Sequence, residues 1–333
     1  MSACSATPPG TIQGALTGIG SNAAQGAVSA WGQAWGKTVK GTSVSYSPDG
    51  TSAGLKAFKD GQAHFAVGSA PLEDDEAAAV RGMCTAEGAI SMAAGVLPVG
   101  VAIKIKGVND VVLDAPVLAG ILTGDITRWN DPRIAGLNQG TSLPDLDITV
   151  IVPEGASDTV RPVNDYLRKE AGTGWEPETP DSWPSDVTGQ VSSPQLDLAD
   201  KLDETDGGIS ILDGSIIGNR FIAAQLLFDG KPRRMQASSV VDAVTTGEVT
   251  ASSRAVLQGL DGNSGYALGT VIYVYMCRQY TEPALGRLTR SLGESVLGED
   301  AQKNANAFAF VMSPSKKAVN EARALIGTIG DGQ

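Results

Sequence analysis

Strand-like and helix-like stretches alternate along most of these 333 residues, and that alternation narrows the fold to a few architectures. Residues 26–40 carry Val28, Trp31, Ala34, Trp35 and Val39 at helical spacing. A strand over 42–46 follows, then the loop Ser47-Pro48-Asp49-Gly50, a helix start over 54–60 and a strand over 64–67. Residues 71–81 read as a helix with Glu73, Asp74, Asp75 and Glu76 in its first turn, where the helix dipole favours acids. Residues 93–105 form an apolar, β-rich run. Further on, helices are expected over 114–122, 159–171 and 196–202, and strands over 148–152, 209–212 and 270–276. The stretch 175–194 is loop-rich, and two helices, 283–296 and 316–326, close the chain. The pattern predicts an α/β fold with mainly parallel sheets.

Composition removes several function classes. The net charge of −12 argues against nucleic acid as a partner, because phosphate backbones want clustered Lys and Arg. The single histidine, His64, is expected to be structural or solvent-exposed, and leaves little room for zinc catalysis or triad chemistry. No Cys/His cluster has metal spacing, so neither metal nor cofactor is expected, nor an enzyme. The densest apolar run, 269–277, is strand-sized, well short of the ~18 residues of a membrane span. The 41 glycines outnumber the 5 Trp, 6 Tyr and 6 Phe taken together, a sign of tight turns and close backbone approaches. Gly18-Ile19-Gly20-Ser21-Asn22-Ala23 fits a loose dinucleotide pattern, but the window about 20 residues on holds Lys37, Lys40 and Ser45 rather than an acid. Trp31, Trp35 and Trp129 are expected as core and turn anchors.

The three cysteines, Cys4, Cys84 and Cys277, suggest one pair and one left over in an exported protein. Met1-Ser2-Ala3-Cys4 resembles the end of a lipoprotein cleavage box, with Cys4 as the lipid-bearing residue and a flexible tether after it. The alternative is an incidental N-terminal cysteine. Cys84 and Cys277 are either a disulfide or two buried thiols.

Several blocks, in order, resemble the PstS-type phosphate-binding proteins of bacterial ABC importers. Leu16-Thr17-Gly18-Ile19-Gly20-Ser21-Asn22 is similar to the family's first turn, and Gly50-Thr51-Ser52-Ala53-Gly54 to its second. Phe65 to Leu72 resembles a third block, and Leu122-Thr123-Gly124-Asp125-Ile126-Thr127-Arg128-Trp129-Asn130-Asp131-Pro132 a fourth. Residues 148–159, Phe228-Asp229-Gly230-Lys231-Pro232 and the closing helix also match. The resemblance implies an α/β, two-lobed periplasmic-binding-protein-like clamshell of type 2. Its two hinge strands would fall near 95–102 and 266–273. A tether would occupy residues 1–10, the first lobe 11–95 plus 272–333, and the second lobe 96–271. Cys84 and Cys277 would then flank the hinge strands on one lobe, which makes a disulfide between them reasonable and fits an oxidising, extracytoplasmic compartment.

Members of that family hold phosphate with backbone N–H groups at helix N-termini, Ser/Thr hydroxyls, one Arg and one Asp. Carried over residue by residue, the ligand-binding set here is Ser21, Asn22, Thr51, Ser52, Ser69, Ser157, Asp158 and Thr159. The family's Asp position is Ser69, its Arg position is Pro153, and a glycine between the two second-lobe hydroxyls is Asp158. Losing one member of a buried charge pair costs about 3–5 kcal/mol, whereas replacing both can be neutral, so the joint loss reads as a refitted pocket. Asp158 is expected to repel an anion, favouring with Glu154 a cationic or neutral polar ligand; the simpler reading, compatible with the first, is that it caps the helix starting at Thr159. The expectation is a periplasmic or cell-surface solute-binding protein, lipid-anchored at most through Cys4, with weak or lost phosphate binding and an ABC permease as partner. The alternative is a recognition or adhesion module with no transport role.

Overall fold

The computed structural model describes residues 12–153, 157–172, 174–187, 189–192, 195–218, 220–246 and 258–330. Its centre is the 16-residue strand Ala89–Lys104, buried at every position but the last. The sequence AISMAAGVLPVGVAIK explains this, since a strand covered on both faces has no use for polar alternation. Its first part pairs antiparallel with Gly269–Cys277, Pro98 opposite Gly269 and Ala89 opposite Cys277, with a register slip between Ile272 and Tyr273. Its second part pairs antiparallel with Gly208–Asp213, Val99 opposite Asp213. One strand therefore feeds two lobes. On one side the sheet continues through Phe65–Gly68, Gly14–Gly20 and Thr42–Ser47; on the other it continues through Thr149–Pro153 and Gln190–Ser192.

The expectation of mainly parallel sheets needs correction. Parallel pairs flank the sheet, Gly14–Gly20 with Thr42–Ser47 and with Phe65–Gly68, and Thr149–Pro153 with Gly208–Asp213. These are strands joined through helical crossovers. The middle is antiparallel, because the two long strands run between the lobes in opposite directions. Two large apolar cores sit on the two sides. Trp31, Trp35, Phe58, Phe65 and Tyr275 anchor the first. Leu118, Trp129, Tyr166, Phe228 and Tyr266 anchor the second. Two of the buried indoles keep their N–H groups bonded, Trp35 to Ser291 Oγ at 3.0 Å and Trp129 to the Gly207 carbonyl at 2.9 Å, whereas the buried Trp31 Nε1 has no hydrogen-bond partner among the described residues.

Other elements depart from the sequence reading for local reasons. Residues 14–20 form a strand, although Gly18 and Gly20 read as turn signals. Gly18 is there for space: a Cβ would stand 2.2 Å from the Phe65 ring. The expected helix over 71–81 shrinks to Asp74–Ala79, since Glu73 and Val80 are both extended. Its acidic start is mostly exposed, and Glu76 pairs with Lys59 at 2.5 Å. A helix Glu299–Ala309 lies between the two expected closing helices. A short helix Pro132–Leu137 begins at Asp131, whose carboxylate accepts from Arg133 N at 2.9 Å. The strand Gln190–Ser192 interrupts the loop-rich stretch.

Cys84 and Cys277 are disulfide-bonded, with Cα atoms 5.1 Å apart across a sequence separation of 193. The bridge ties the turn before the long strand to the end of its antiparallel neighbour. Cys4 and the tether lie outside the described residues. Among those residues no helix is long and apolar enough to cross a membrane.

Candidate functional site

The cleft is built from strand ends and helix starts. Strand Gly14–Gly20 ends at Ser21, and helix Thr51–Lys59 starts just after Gly50, which has φ +96°. These meet because Gly54 lets the helix approach the strand: a Cβ there would stand 2.4 Å from the Ile19 carbonyl oxygen and 2.5 Å from Gly20 Cα. Ser21 is 2% exposed and fixed through its backbone. Its N–H donates to the Val67 carbonyl at 2.9 Å, and its carbonyl accepts from the Tyr46 hydroxyl at 2.8 Å. The two hydroxyls of Ser21 and Thr51 thus stand side by side on the first lobe.

From the second lobe, Asp158 reaches them. Ser21 Oγ donates to Asp158 Oδ2, and Thr51 Oγ1 donates to Asp158 Oδ1 at 3.2 Å. The Asp158 carbonyl accepts from Thr270 Oγ1 of strand Gly269–Cys277 at 2.9 Å, so the residue is pinned to the inter-lobe strand as well. Hydrogen bonds to a charged acceptor stabilise by about 1.5–3 kcal/mol each. Among the described residues no lysine or arginine forms an ion pair with Asp158; Arg161, three positions on, pairs with Asp181 at 2.6 Å instead.

The helix-capping role expected for Asp158 is therefore not found. The helix is Val160–Glu170, its N-cap is Thr159, and no side chain caps it. Its first turn is served locally, Val160 N donating to the Ser157 carbonyl at 3.0 Å, which leaves the Asp158 carboxylate for the hydroxyls opposite. Ser157 Oγ and Thr159 Oγ1 bond each other at 2.9 Å, and Thr159 is fully buried. Asn22 and Ser52 are exposed and take no part in the contact with Asp158. Ser69, 9% exposed, borders a cavity of about 270 Å³ that Thr270, Arg161, Tyr166 and Phe228 also line. Pro153 is buried at the end of its strand, and Glu154 lies outside the described residues.

The charge of Asp158 is felt by three neighbours that the sequence reading missed. Burial, then Asp158, pushes the Asp213 carboxyl up to about 7. Burial first and Asp158 second also raise the Tyr46 and Tyr275 phenols well above the usual tyrosine range. The Tyr275 hydroxyl donates to the Ala70 carbonyl. His64, by contrast, is structural: its Nδ1 accepts from Thr17 N at 2.8 Å, which fits the neutral ring that burial favours. Among the described residues no group of His, Cys, Asp and Glu could hold a metal ion.

A two-lobed α/β clamshell with its polar cleft at strand ends and helix starts is the architecture of the periplasmic-binding-protein-like fold. The chain belongs to the PBP superfamily domain family, whose model matches residues 5–315. It is a divergent, PstS-type member. Phosphate-binding protein PstS 2 of Mycobacterium tuberculosis is 27% identical to it over 300 residues, covering 85% of this chain and 79% of that one. The fold resembles the high-affinity periplasmic phosphate-binding protein PfluDING, solved with phosphate, at TM-score 0.70 and 15% identity over 93% of both chains. It also resembles a phosphate-binding protein of Stenotrophomonas maltophilia at TM-score 0.67 and 16% identity, again over 93% of both chains.

Proposed function

We propose that this protein is an extracytoplasmic solute-binding protein of the PstS-like class in which phosphate binding is weak or absent. One observation carries the reading: the Asp158 carboxylate accepts the Ser21 and Thr51 hydroxyls that the family resemblance reserves for an oxyanion. An incoming phosphate would have to displace that carboxylate and then remain beside it. Two like unit charges about 4 Å apart repel by about 4 kcal/mol at a near-surface dielectric. The arginine that would offset this is Pro153, and the acid that would accept a phosphate proton is Ser69. The cleft instead suits a small neutral or cationic polar ligand, with Ser69 and the cavity beside it as the remaining contact surface.

The lobes we assign are residues 11–95 plus 272–333 and residues 96–271, with the tether before them, Cys4 as a lipid anchor and an ABC permease as the receiving partner. The disulfide and the periplasmic relative support an oxidising compartment. A thermal-shift screen of phosphate, sulfate, phosphonates, amines and small sugars tests the functional reading. Ligand at 100 times its Kd stabilises by about 2.7 kcal/mol. The expected result is a shift with a neutral or cationic polar compound and none with millimolar phosphate. A shift at micromolar phosphate overturns the reading.

A further inference from the structure

We infer that Asp158 is an internal ligand that latches the two lobes shut in the absence of any solute. A clamshell closes when something contacts both lobes more favourably in the closed state than in the open one. In a solute-binding protein that contact is supplied by the solute. Here a side chain supplies it: the Asp158 carboxylate, carried by the second lobe, takes the hydroxyls of Ser21 and Thr51 on the first.

Three features make the contact a latch rather than an incidental bond. The receiving side is prearranged, since Ser21 is buried and held by hydrogen bonds to Val67 and from Tyr46 that do not involve Asp158. The delivering side is anchored, since Thr270 on the inter-lobe strand donates to the Asp158 carbonyl and fixes where the carboxylate emerges. Being part of the chain, the carboxylate also has a high effective concentration at the seat, which a free anion must outcompete. A solute that needs the lobes apart to enter then binds with an affinity reduced by the unlatched fraction.

The inference rests on the two-lobed binding-protein reading above, and its test is separable from the test of that reading. Spin labels at Gln33 and Gln139, exposed positions associated with the first and second cores, report the inter-lobe distance by pulsed electron resonance in a Cys4→Ser background. Wild-type protein in solute-free buffer is expected to give one narrow distribution. Asp158→Ala is expected to shift it to longer distances and broaden it, and Thr51→Val to do so in part. A shift in either folded variant supports the latch. Distributions of both variants superimposable on the wild type overturn it. Should Asp158→Ala fail to fold, Thr51→Val decides alone. Failure of the functional reading would show elsewhere, as phosphate binding by the unmodified protein.

Discussion

Thr51 donates its hydroxyl hydrogen bond to Asp158 across the cleft at 3.2 Å, although 107 residues separate them in the chain. That contact, with its companion from Ser21, joins the two lobes through a negative charge paired with no described cation. Its energetic weight can be measured directly. Thr51→Val removes one donor to a charged acceptor and is expected to cost about 1.5–3 kcal/mol in chemical denaturation. Ser21→Ala is expected to cost as much. In the Asp158→Ala background both costs should nearly vanish, giving a coupling energy above 0.5 kcal/mol as for residues in one network. Additive single and double variants would mean that the hydroxyls and the carboxylate act independently.

Asp213 gives the protein an unusual pH dependence. In the folded chain burial and the Asp158 charge hold its carboxyl at about 7, against an ordinary value of 3.8. Between those values the folded state keeps a proton that the unfolded chain has lost. The contribution of Asp213 is therefore fully present below about pH 4 and is lost as pH rises through 7. The effect is of the order of a few kcal/mol. Melting temperature should fall by several degrees between pH 5 and pH 8 in wild-type protein. Asp213→Asn should flatten this slope and melt higher at pH 8. An unchanged slope would show that Asp213 titrates normally.

The disulfide is expected to carry much of the first lobe's resistance to unfolding. Replacing both Cys84 and Cys277 by alanine should cost about 2–5 kcal/mol. In protein whose Cys4 carries no lipid, thiol titration of the unfolded, unreduced chain should detect one free thiol, Cys4, and three after reduction. Three before reduction would mean that the pair is not oxidised in the protein as purified.

Gly54 is the position where the first-lobe helix touches the strand that leads to Ser21. Gly54→Ala would drive a methyl group to 2.4 Å from the Ile19 carbonyl oxygen, where backbone cannot yield cheaply. Overpacking of this kind typically costs about 1–3 kcal/mol, and here it should also loosen the Ser21–Asp158 contact. A variant as stable as wild type would show that the helix can move away from the strand.

Much of the fold was legible because burial leaves a local trace. The apolar run around 93–105 marked the central strand, and the 3.6-residue period of Val28, Trp31 and Trp35 marked the helix Gln25–Thr38. The strand Gly14–Gly20 was misread because its glycines serve a ring and a carbonyl contributed by Phe65 and Val67, which no local pattern reveals. Ser21, Thr51 and Asp158 were each expected to line the cleft. Their mutual bonding was not, since Asp158 sits directly before a helix and local rules assign such a residue to capping. The hydroxyl of Thr270 and the buried carboxyl of Asp213 left no signal either, because both face Asp158 only after the chain has folded back on itself.

The protein's own carboxylate sits on the hydroxyls where the family resemblance places the oxyanion. Calorimetric titration of phosphate at neutral pH into wild-type protein, beside a variant carrying Asp158→Gly, Ser69→Asp and Pro153→Arg, tests this most directly. The wild type is expected to give no saturable heat, and the triple variant, which vacates the seat and restores the missing acidic and basic side chains, is expected to bind measurably. Micromolar or tighter phosphate binding by the wild type would contradict it.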